Sequence, residues 1–121
     1  MPINKILIFD DTPSQLAAFK SVMPQTNARI FTATSGVEAI VTAKTELPDI
    51  IFMDIVMDDL DGYNACRDLT NDPLTKDIPI VFVSTKNQRA DHMWAERQGG
   101  KALIAKPITE EQIQEQLQRF S

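Results

Sequence analysis

The chain has 121 residues, of which 43% are apolar and 24% charged, and its net charge is −5. This length and composition are typical of one globular domain and exclude two domains with separate cores. The acidic balance argues against nucleic-acid binding, and neither a membrane-length apolar run nor a signal peptide is evident, so we expect a cytoplasmic protein without membrane insertion.

Five short apolar segments predict buried β-strands. In the clearest, four apolar residues run without interruption from Ile50 and stop at Asp54. A run of this kind is typical of a strand buried on both faces, as in a parallel sheet. The predicted strands cover residues 5–9, 28–33, 50–54, 78–83 and 101–105.

Helix-start signals stand between these strands. Pro13 fits the first position of the first helix, Gly62 is predicted to open the third, and residues 87–100 are predicted to form the fourth. Three capping boxes of the form Ser/Thr-x-x-Glu/Gln are predicted, at Thr12 with Gln15, at Ser35 with Glu38 and at Thr109 with Gln112.

Each predicted helix has an apolar stripe that should face the sheet. The stripe of the fourth helix is thin, with only Met93 and Trp94, which indicates weak docking or a surface kept for a partner. The stripes of the other four helices are Leu16, Phe19 and Met23; Val37, Ile40, Val41 and Leu47; Tyr63, Cys66 and Leu69; and Ile113, Leu117 and Phe120.

The predicted strands and helices alternate strictly along the chain. Such alternation predicts an α/β fold of the doubly wound (βα)5 kind, with a five-stranded parallel sheet and helices on both faces. The pattern uses residues 1–121 completely, so we expect a single domain and no output domain.

Polar side chains stand where the predicted strands end, and open α/β sheets bind ligands beyond the carboxyl ends of their strands. Crowded carboxylates repel one another unless a cation joins them, and Mg²⁺ takes one or two carboxylates together with a phosphate. A carboxylate is also a nucleophile toward phosphorus. The strand-end residues are Asp10 and Asp11, Asp54, Ser84 and Thr85, and Lys106.

This arrangement resembles the CheY-like receiver domain of two-component response regulators. The resemblance rests on the acid pair after the first strand, Asp54 after the third, a hydroxyl after the fourth and Lys106-Pro107 after the fifth. It implies a flavodoxin-like sheet with strand order 2-1-3-4-5. It also implies that Asp54 accepts a phosphoryl group, that Ser84 is the switch hydroxyl and that Lys106 pairs with the phosphate. The implied Mg²⁺ ligands are Asp10, Asp11, Asp54 and the main-chain carbonyl of Val56.

More narrowly, the chain is similar to the stand-alone receivers of PilH type, which belong to chemosensory systems that control twitching motility and type IV pili. Residues 53–57, 84–88 and 94–99 carry this similarity. The implied partners are the histidine kinase of a chemotaxis-like system and a pilus motor or regulatory protein. A partner would bind the surface of the fourth helix and fifth strand, where the candidate contact residues are Lys86, Trp94 and Leu103.

Three residues depart from the family's pattern. Asp58 stands four residues after Asp54, where the family usually has proline, and adds negative charge. Leu103 replaces the Tyr or Phe often found three residues before Lys106, which removes the aromatic partner of the usual hydroxyl-to-aromatic coupling. Thr85 stands where Ala or Gly is common and would narrow access to the phosphoryl group.

Two other functions are compatible with parts of this pattern. A pseudo-receiver would bind its partner without phosphorylation; the complete set of strand-end acids argues against it, whereas Asp58 and Leu103 keep it open. An aspartate-nucleophile phosphatase of the haloacid dehalogenase class also uses an Asp, a hydroxyl, a Lys and Mg²⁺. That class needs an acid two residues after its nucleophile, whereas Thr12 follows Asp10 at this distance.

Overall fold

The computed structural model describes residues 3–54, 60–86 and 88–121 of the chain. Strands and helices alternate through these residues, as predicted. The strands are β1 (Lys5–Phe9), β2 (Arg29–Ala33), β3 (Ile50–Asp54), β4 (Ile80–Ser84) and β5 (Ala102–Ala105). The helices are α1 (Pro13–Ser21), α2 (Gly36–Glu46), α3 (Leu60–Asn71), α4 (Arg89–Arg97) and α5 (Glu110–Arg119). None of these described helices is long and apolar enough to cross a membrane.

The strands form one parallel sheet in the order β2-β1-β3-β4-β5, which confirms the doubly wound fold and the order 2-1-3-4-5. The connections reverse direction between β1 and β3, and open sheets bind ligands at such a switch point. The register sets Asp54 opposite Val83 and Ser84 opposite Ala105. The carboxyl ends of β3, β4 and β5 therefore lie close together at one edge.

Two apolar clusters cover the two faces of the sheet, because successive residues of a strand point to opposite faces. Leu7 and Met53 belong to the cluster under α2, α3 and α4, whereas Ile8 and Phe52 belong to the cluster under α1 and α5. The ring of Phe19 in α1 lies with its centroid 5.4 Å from that of Phe52. Both β3 and β4 are buried along their whole length, as the uninterrupted apolar runs predicted.

The apolar stripes of α1, α3 and α5 face the sheet as predicted, and the face of α4 is thin. Only Ala95 is buried among the residues of α4. The buried members of the other three stripes are Leu16, Phe19, Tyr63, Cys66, Leu69 and Ile113, and the half-buried members are Met23, Leu117 and Phe120.

Two of the predicted helix caps form. At α5 the backbone N–H of Gln112 donates to the Thr109 hydroxyl at 3.2 Å, and the Thr109 N–H donates to the Gln112 side chain at 2.9 Å. At α2 the Glu38 N–H donates to the Ser35 hydroxyl at 3.1 Å. The Glu38 carboxylate, however, accepts from the backbone N–H and the hydroxyl of Thr34, one residue before the Ser35 N–H that the predicted capping box would use.

The predicted capping box at α1 is wrong. Thr12 has the backbone conformation of an N-cap, but its side chain makes no capping hydrogen bond and its hydroxyl instead donates to Asp11 at 3.3 Å. Pro13 presets the first helical φ angle and carries no N–H that would need a cap. The side chain of Gln15 is therefore free to bond elsewhere, and its amide oxygen accepts from the Lys106 ammonium at 2.8 Å.

The stripe predicted for α2 is also wrong. Val37, Val41 and Leu47 are 71%, 57% and 49% exposed, and the remaining member of the stripe is half-buried. The buried residues of α2 are instead Gly36, Ala39 and Ala43. Small side chains let the α2 backbone lie close to its neighbours, so close approach rather than apolar bulk determines which face of the helix is buried.

Three elements begin two residues away from their predicted starts. β4 begins at Ile80 rather than two residues earlier, because Pro79 has no N–H to donate to a strand ladder. α3 begins at Leu60, two residues before Gly62. α4 begins at Arg89, two residues after the predicted start.

The two faces of α2 predict opposite responses to the same enlargement. We expect Ala43→Leu to lower the free energy of unfolding by roughly 1–3 kcal/mol, because the added carbons enter a packed contact. We expect Val41→Leu on the exposed face to change it by less than about 0.5 kcal/mol. Urea unfolding followed by circular dichroism measures both, and equal effects of the two variants would contradict the observed orientation of α2.

Candidate functional site

Four predicted site residues meet at the carboxyl edge of the sheet. Asp10 follows β1, Asp54 and Ser84 end β3 and β4, and Lys106 follows β5. Asp10, Asp54 and Ser84 are only 2%, 7% and 6% exposed. Buried polar groups of this kind need partners, because water cannot solvate them.

Lys106 supplies the countercharge of Asp54. Its Nζ atom lies 2.7 Å from Asp54 Oδ1, and the two side chains are 22% and 3% exposed. The same ammonium donates a hydrogen bond to Gln15 Oε1 at 2.8 Å. Charge-assisted contacts are among the stronger polar interactions, and here the carboxylate is withdrawn from water. The ion pair therefore ties the end of β5 to the end of β3.

Asp10 lies beside Asp54 in an environment that disfavours its charged form. The pKa of Asp10 is raised from 3.8 to about 7, mainly by burial and in addition by the charge of Asp54 and by a hydrogen bond between the two carboxyl groups. The backbone N–H of Thr12, which donates to Asp10 Oδ1 at 2.9 Å, and the positive charge of Lys106 act in the opposite direction. Without a further cation, Asp10 therefore keeps its proton up to near-neutral pH.

The donor set at this edge fits a divalent cation with a preference for oxygen. Asp54 Oδ1 is buried and has no aligned hydrogen-bond donor among the described residues, and its ion pair with Lys106 offsets only one of the two neighbouring carboxylates. Mg²⁺ commonly takes one or two carboxylates and keeps several waters. Asp10 and Asp54 are the side chains placed to hold it.

Of the two further predicted ligands, the structure describes only Asp11, and its side chain is not part of this pair. Asp11 is exposed, and its carboxylate accepts a hydrogen bond from Thr12. Val56, like Asp58, lies outside the described residues. Within the described ranges, no three acidic, histidine or cysteine side chains form a group that could hold a metal ion.

The two predicted hydroxyl residues have different surroundings. The Ser84 side chain is buried and accepts a hydrogen bond from the backbone N–H of Lys86 at 3.0 Å. Thr85 is exposed and lines a cleft of about 420 Å³ together with Asp10, Gln15 and Lys106. Thr85 therefore borders the cleft that leads to Asp10 and Lys106.

The predicted partner surface combines residues that line a cavity with side chains that are exposed to solvent. Ser84, Tyr63, Trp94 and Leu103 line a cavity of about 350 Å³ beside Lys86. Trp94 is 37% exposed and meets the Tyr63 ring edge-to-face at an interplanar angle of 75°. Leu103 is only 8% exposed, so the prediction of a surface contact residue is wrong for it. Its side chain points from the edge strand into the core cluster and forms a wall of the cavity.

Comparison with known proteins identifies the class. The chain matches the response regulator receiver domain family over residues 6–118, and it belongs to this family. Receiver domains are signalling domains rather than enzymes, so the prediction of a receiver-type signalling domain is confirmed at the level of the family, and membership of the family excludes the dehalogenase alternative.

Among curated proteins, the chain is similar to Protein PilH of Pseudomonas aeruginosa, with 37% identity over 109 residues that make up 90% of each chain. Some relatives are longer. The match to the response regulator PleD of Caulobacter vibrioides is 32% identical and spans 86% of this chain but 23% of PleD.

Solved structures show the same fold. The chemotaxis response regulator CheY4 of Vibrio cholerae superposes with a TM-score of 0.85 at 23% identity, covering 98% of this chain and 99% of CheY4. The receiver domain of the sensor histidine kinase PA1611 from Pseudomonas aeruginosa has a TM-score of 0.84 at 25% identity, with 97% of this chain and 96% of that domain covered. That structure has a magnesium ion coordinated in its active-site cleft.

Proposed function

We propose that this receiver accepts a phosphoryl group from a histidine kinase on Asp54, with Mg²⁺ at the site. The observation that carries the proposal is the buried Asp54 carboxylate, paired with Lys106 at 2.7 Å and adjacent to Asp10 at the switch point of the sheet. Asp11 and the Val56 carbonyl are proposed as additional ligands, by resemblance to the family.

In the proposed transfer, a carboxylate oxygen of Asp54 forms a bond to phosphorus while the bond from phosphorus to the donor imidazole nitrogen breaks. The electron pair of the broken bond returns to that ring nitrogen. The other ring nitrogen keeps the proton it already carries, so the donor histidine leaves as neutral imidazole. Mg²⁺, when bound, supplies positive charge that offsets the phosphoryl oxygens. Lys106 is placed to pair with a phosphoryl oxygen, and the Ser84 hydroxyl to donate a hydrogen bond to another.

Phosphorylation adds a charge of about −1.5 to −2 beside the end of β4, which is enough to reposition neighbouring groups. The cavity between Ser84 and Trp94 provides space for such a change. We propose that a partner recognises this repositioning by binding the exposed side chains of Lys86 and Trp94. This surface adjoins α4, whose core contacts are few.

We further propose that the receiver serves a chemosensory system for type IV pili and twitching motility. The similarity to PilH over 90% of both chains supports this role and also supports a receiver that acts as a single domain. Its kinase would then be of the chemotaxis type, and its target a pilus motor or regulatory protein. The pseudo-receiver alternative retains two supporting observations, Asp58 in place of the usual proline and the aliphatic Leu103 at the position of the usual aromatic residue.

Phosphotransfer from a kinase tests the proposal. An autophosphorylated, radiolabelled histidine kinase of a pilus chemosensory system is mixed with the receiver and Mg²⁺. We expect label to leave the kinase and to appear on the wild-type receiver but not on Asp54→Asn. Equal labelling of both receivers would place the acceptor elsewhere, and partner binding that is unchanged by Asp54→Asn would support the pseudo-receiver.

A further inference from the structure

The contact between Gln15 and Lys106 joins two residues that are 91 positions apart in the sequence. Gln15 lies in the first turn of α1, on the side that faces the cleft lined by Asp10, Thr85 and Lys106. Its side chain is not used by the helix cap, and its amide oxygen accepts directly from the ammonium that pairs with Asp54.

Lys106 requires such a contact if it is to stay in one place. A lysine side chain loses much of its conformational freedom when it is fixed, and its strongly hydrated ammonium group tends to keep its bound water. The Lys106 side chain is 22% exposed, so water has access to it. Two acceptors, Asp54 and Gln15, are better able to order it than one.

The two acceptors differ during the proposed transfer. When an oxygen of Asp54 forms a bond to phosphorus, the carboxylate gives up its negative charge and attracts Lys106 less strongly. The Gln15 amide is neutral and unchanged by the transfer. It therefore continues to hold the ammonium at the site while charge moves from the carboxylate to the phosphoryl oxygens, which are then the groups that require it.

We propose that Gln15 is a positioning residue for phosphorylation, which orders the Lys106 ammonium before transfer and keeps it at the site during transfer. This inference rests on the proposed function of Asp54 as the acceptor. It concerns a residue that does not touch the phosphoryl group and that acts through Lys106.

The test compares Gln15→Met, which keeps the length of the side chain but removes the acceptor, with wild type. Phosphorylation by acetyl phosphate at saturating Mg²⁺ is followed by intact mass. We expect the rate to fall by about three- to tenfold, the effect of losing one hydrogen bond to a charged group that is partly exposed. Gln114→Met, a matched change at an exposed glutamine of α5, should phosphorylate at the wild-type rate.

A double-mutant cycle with Lys106→Met shows whether Gln15 acts through the lysine. We expect Gln15→Met to have no further effect once Lys106 is removed. A wild-type rate for Gln15→Met would overturn the inference, as would an equal fall in both backgrounds.

The ¹⁵Nζ resonance of Lys106, assigned by its absence in Lys106→Met, gives a readout that needs no phosphorylation. We expect a resonance protected from exchange with water in wild type and its loss in Gln15→Met. If wild type takes up a phosphoryl group from neither acetyl phosphate nor the kinase, the proposed function fails, and this resonance still decides whether Gln15 orders the Lys106 ammonium. An unchanged resonance in Gln15→Met would show that the amide does not order the lysine.

Discussion

Asp10→Asn is expected to stabilise the Mg²⁺-free protein at pH 8 by about 1–3 kcal/mol while slowing its phosphorylation at least about 100-fold. The gain in stability follows from the position of the carboxyl group, which is buried beside Asp54. An asparagine has nearly the same shape and can still accept from the Thr12 N–H, but it carries no charge. The loss of phosphorylation follows from the loss of a proposed Mg²⁺ ligand.

The same residue predicts how stability without Mg²⁺ depends on pH. In the unfolded chain Asp10 ionises near its usual pKa of 3.8, whereas burial in the folded protein raises the pKa to about 7. Between these values the folded state holds one proton more, so this contribution to stability is complete below pH 3.8 and is lost as pH rises through 7.

Urea unfolding in EDTA between pH 4 and pH 8 measures this dependence. We expect the difference in stability between Asp10→Asn and wild type to grow toward pH 8. Asp11→Asn is the matched control, because Asp11 is exposed and its removal should leave the curve of stability against pH unchanged. A constant difference between Asp10→Asn and wild type at all pH values would contradict the account of Asp10.

The second large effect is expected from Lys106→Met. The methionine keeps most of the aliphatic stem but leaves the Asp54 carboxylate, whose side chain is 3% exposed, without its cation. Removing one partner of a buried ion pair is strongly destabilising, and with allowance for the partial exposure of Lys106 we expect a loss of about 2–3 kcal/mol at pH 8 without Mg²⁺. The loss should be smaller at pH 5, where Asp10 holds its proton.

Lys44→Met is the matched control for this variant. Lys44 also forms an ion pair, at 3.1 Å from Asp72, but this pair lies on the surface between α2 and α3. Exposed pairs contribute little to stability, so the change should be far smaller than for Lys106→Met. Equal effects of the two variants in urea unfolding would show that the ion pair between Lys106 and Asp54 contributes no more to stability than a surface pair.

Much of the fold follows from local pattern alone. The run from Ile50 to Met53 and its abrupt end at Asp54 predict both a buried strand and a polar group at its carboxyl end, because a parallel sheet with two covered faces needs such a run. Strict alternation of strands and helices then brings Asp10, Asp54, Ser84 and Lys106 to one edge. These statements depend only on chain order and are confirmed by the sheet.

Other features depend on contacts that are distant in sequence. The pattern Thr12-x-x-Gln15 is compatible with a capping box and also with a side chain that bonds elsewhere. Gln15 bonds Lys106 only because the end of β5 lies close to α1 in the folded protein. On α2, Val41 and Ala43 both fit a helical face, and the close approach of neighbouring elements selects the alanine. Local sequence carries no signal for either choice.

The central claim is that Asp54 is the phosphoacceptor, and the most direct test is intact mass after incubation with acetyl phosphate and Mg²⁺, with Asp54→Asn beside the wild type. We predict that wild type gains the mass of one phosphoryl group, that EDTA abolishes the gain and that Asp54→Asn shows none. A phosphoryl gain of the same size in Asp54→Asn, or a gain in wild type that EDTA does not affect, would contradict the account.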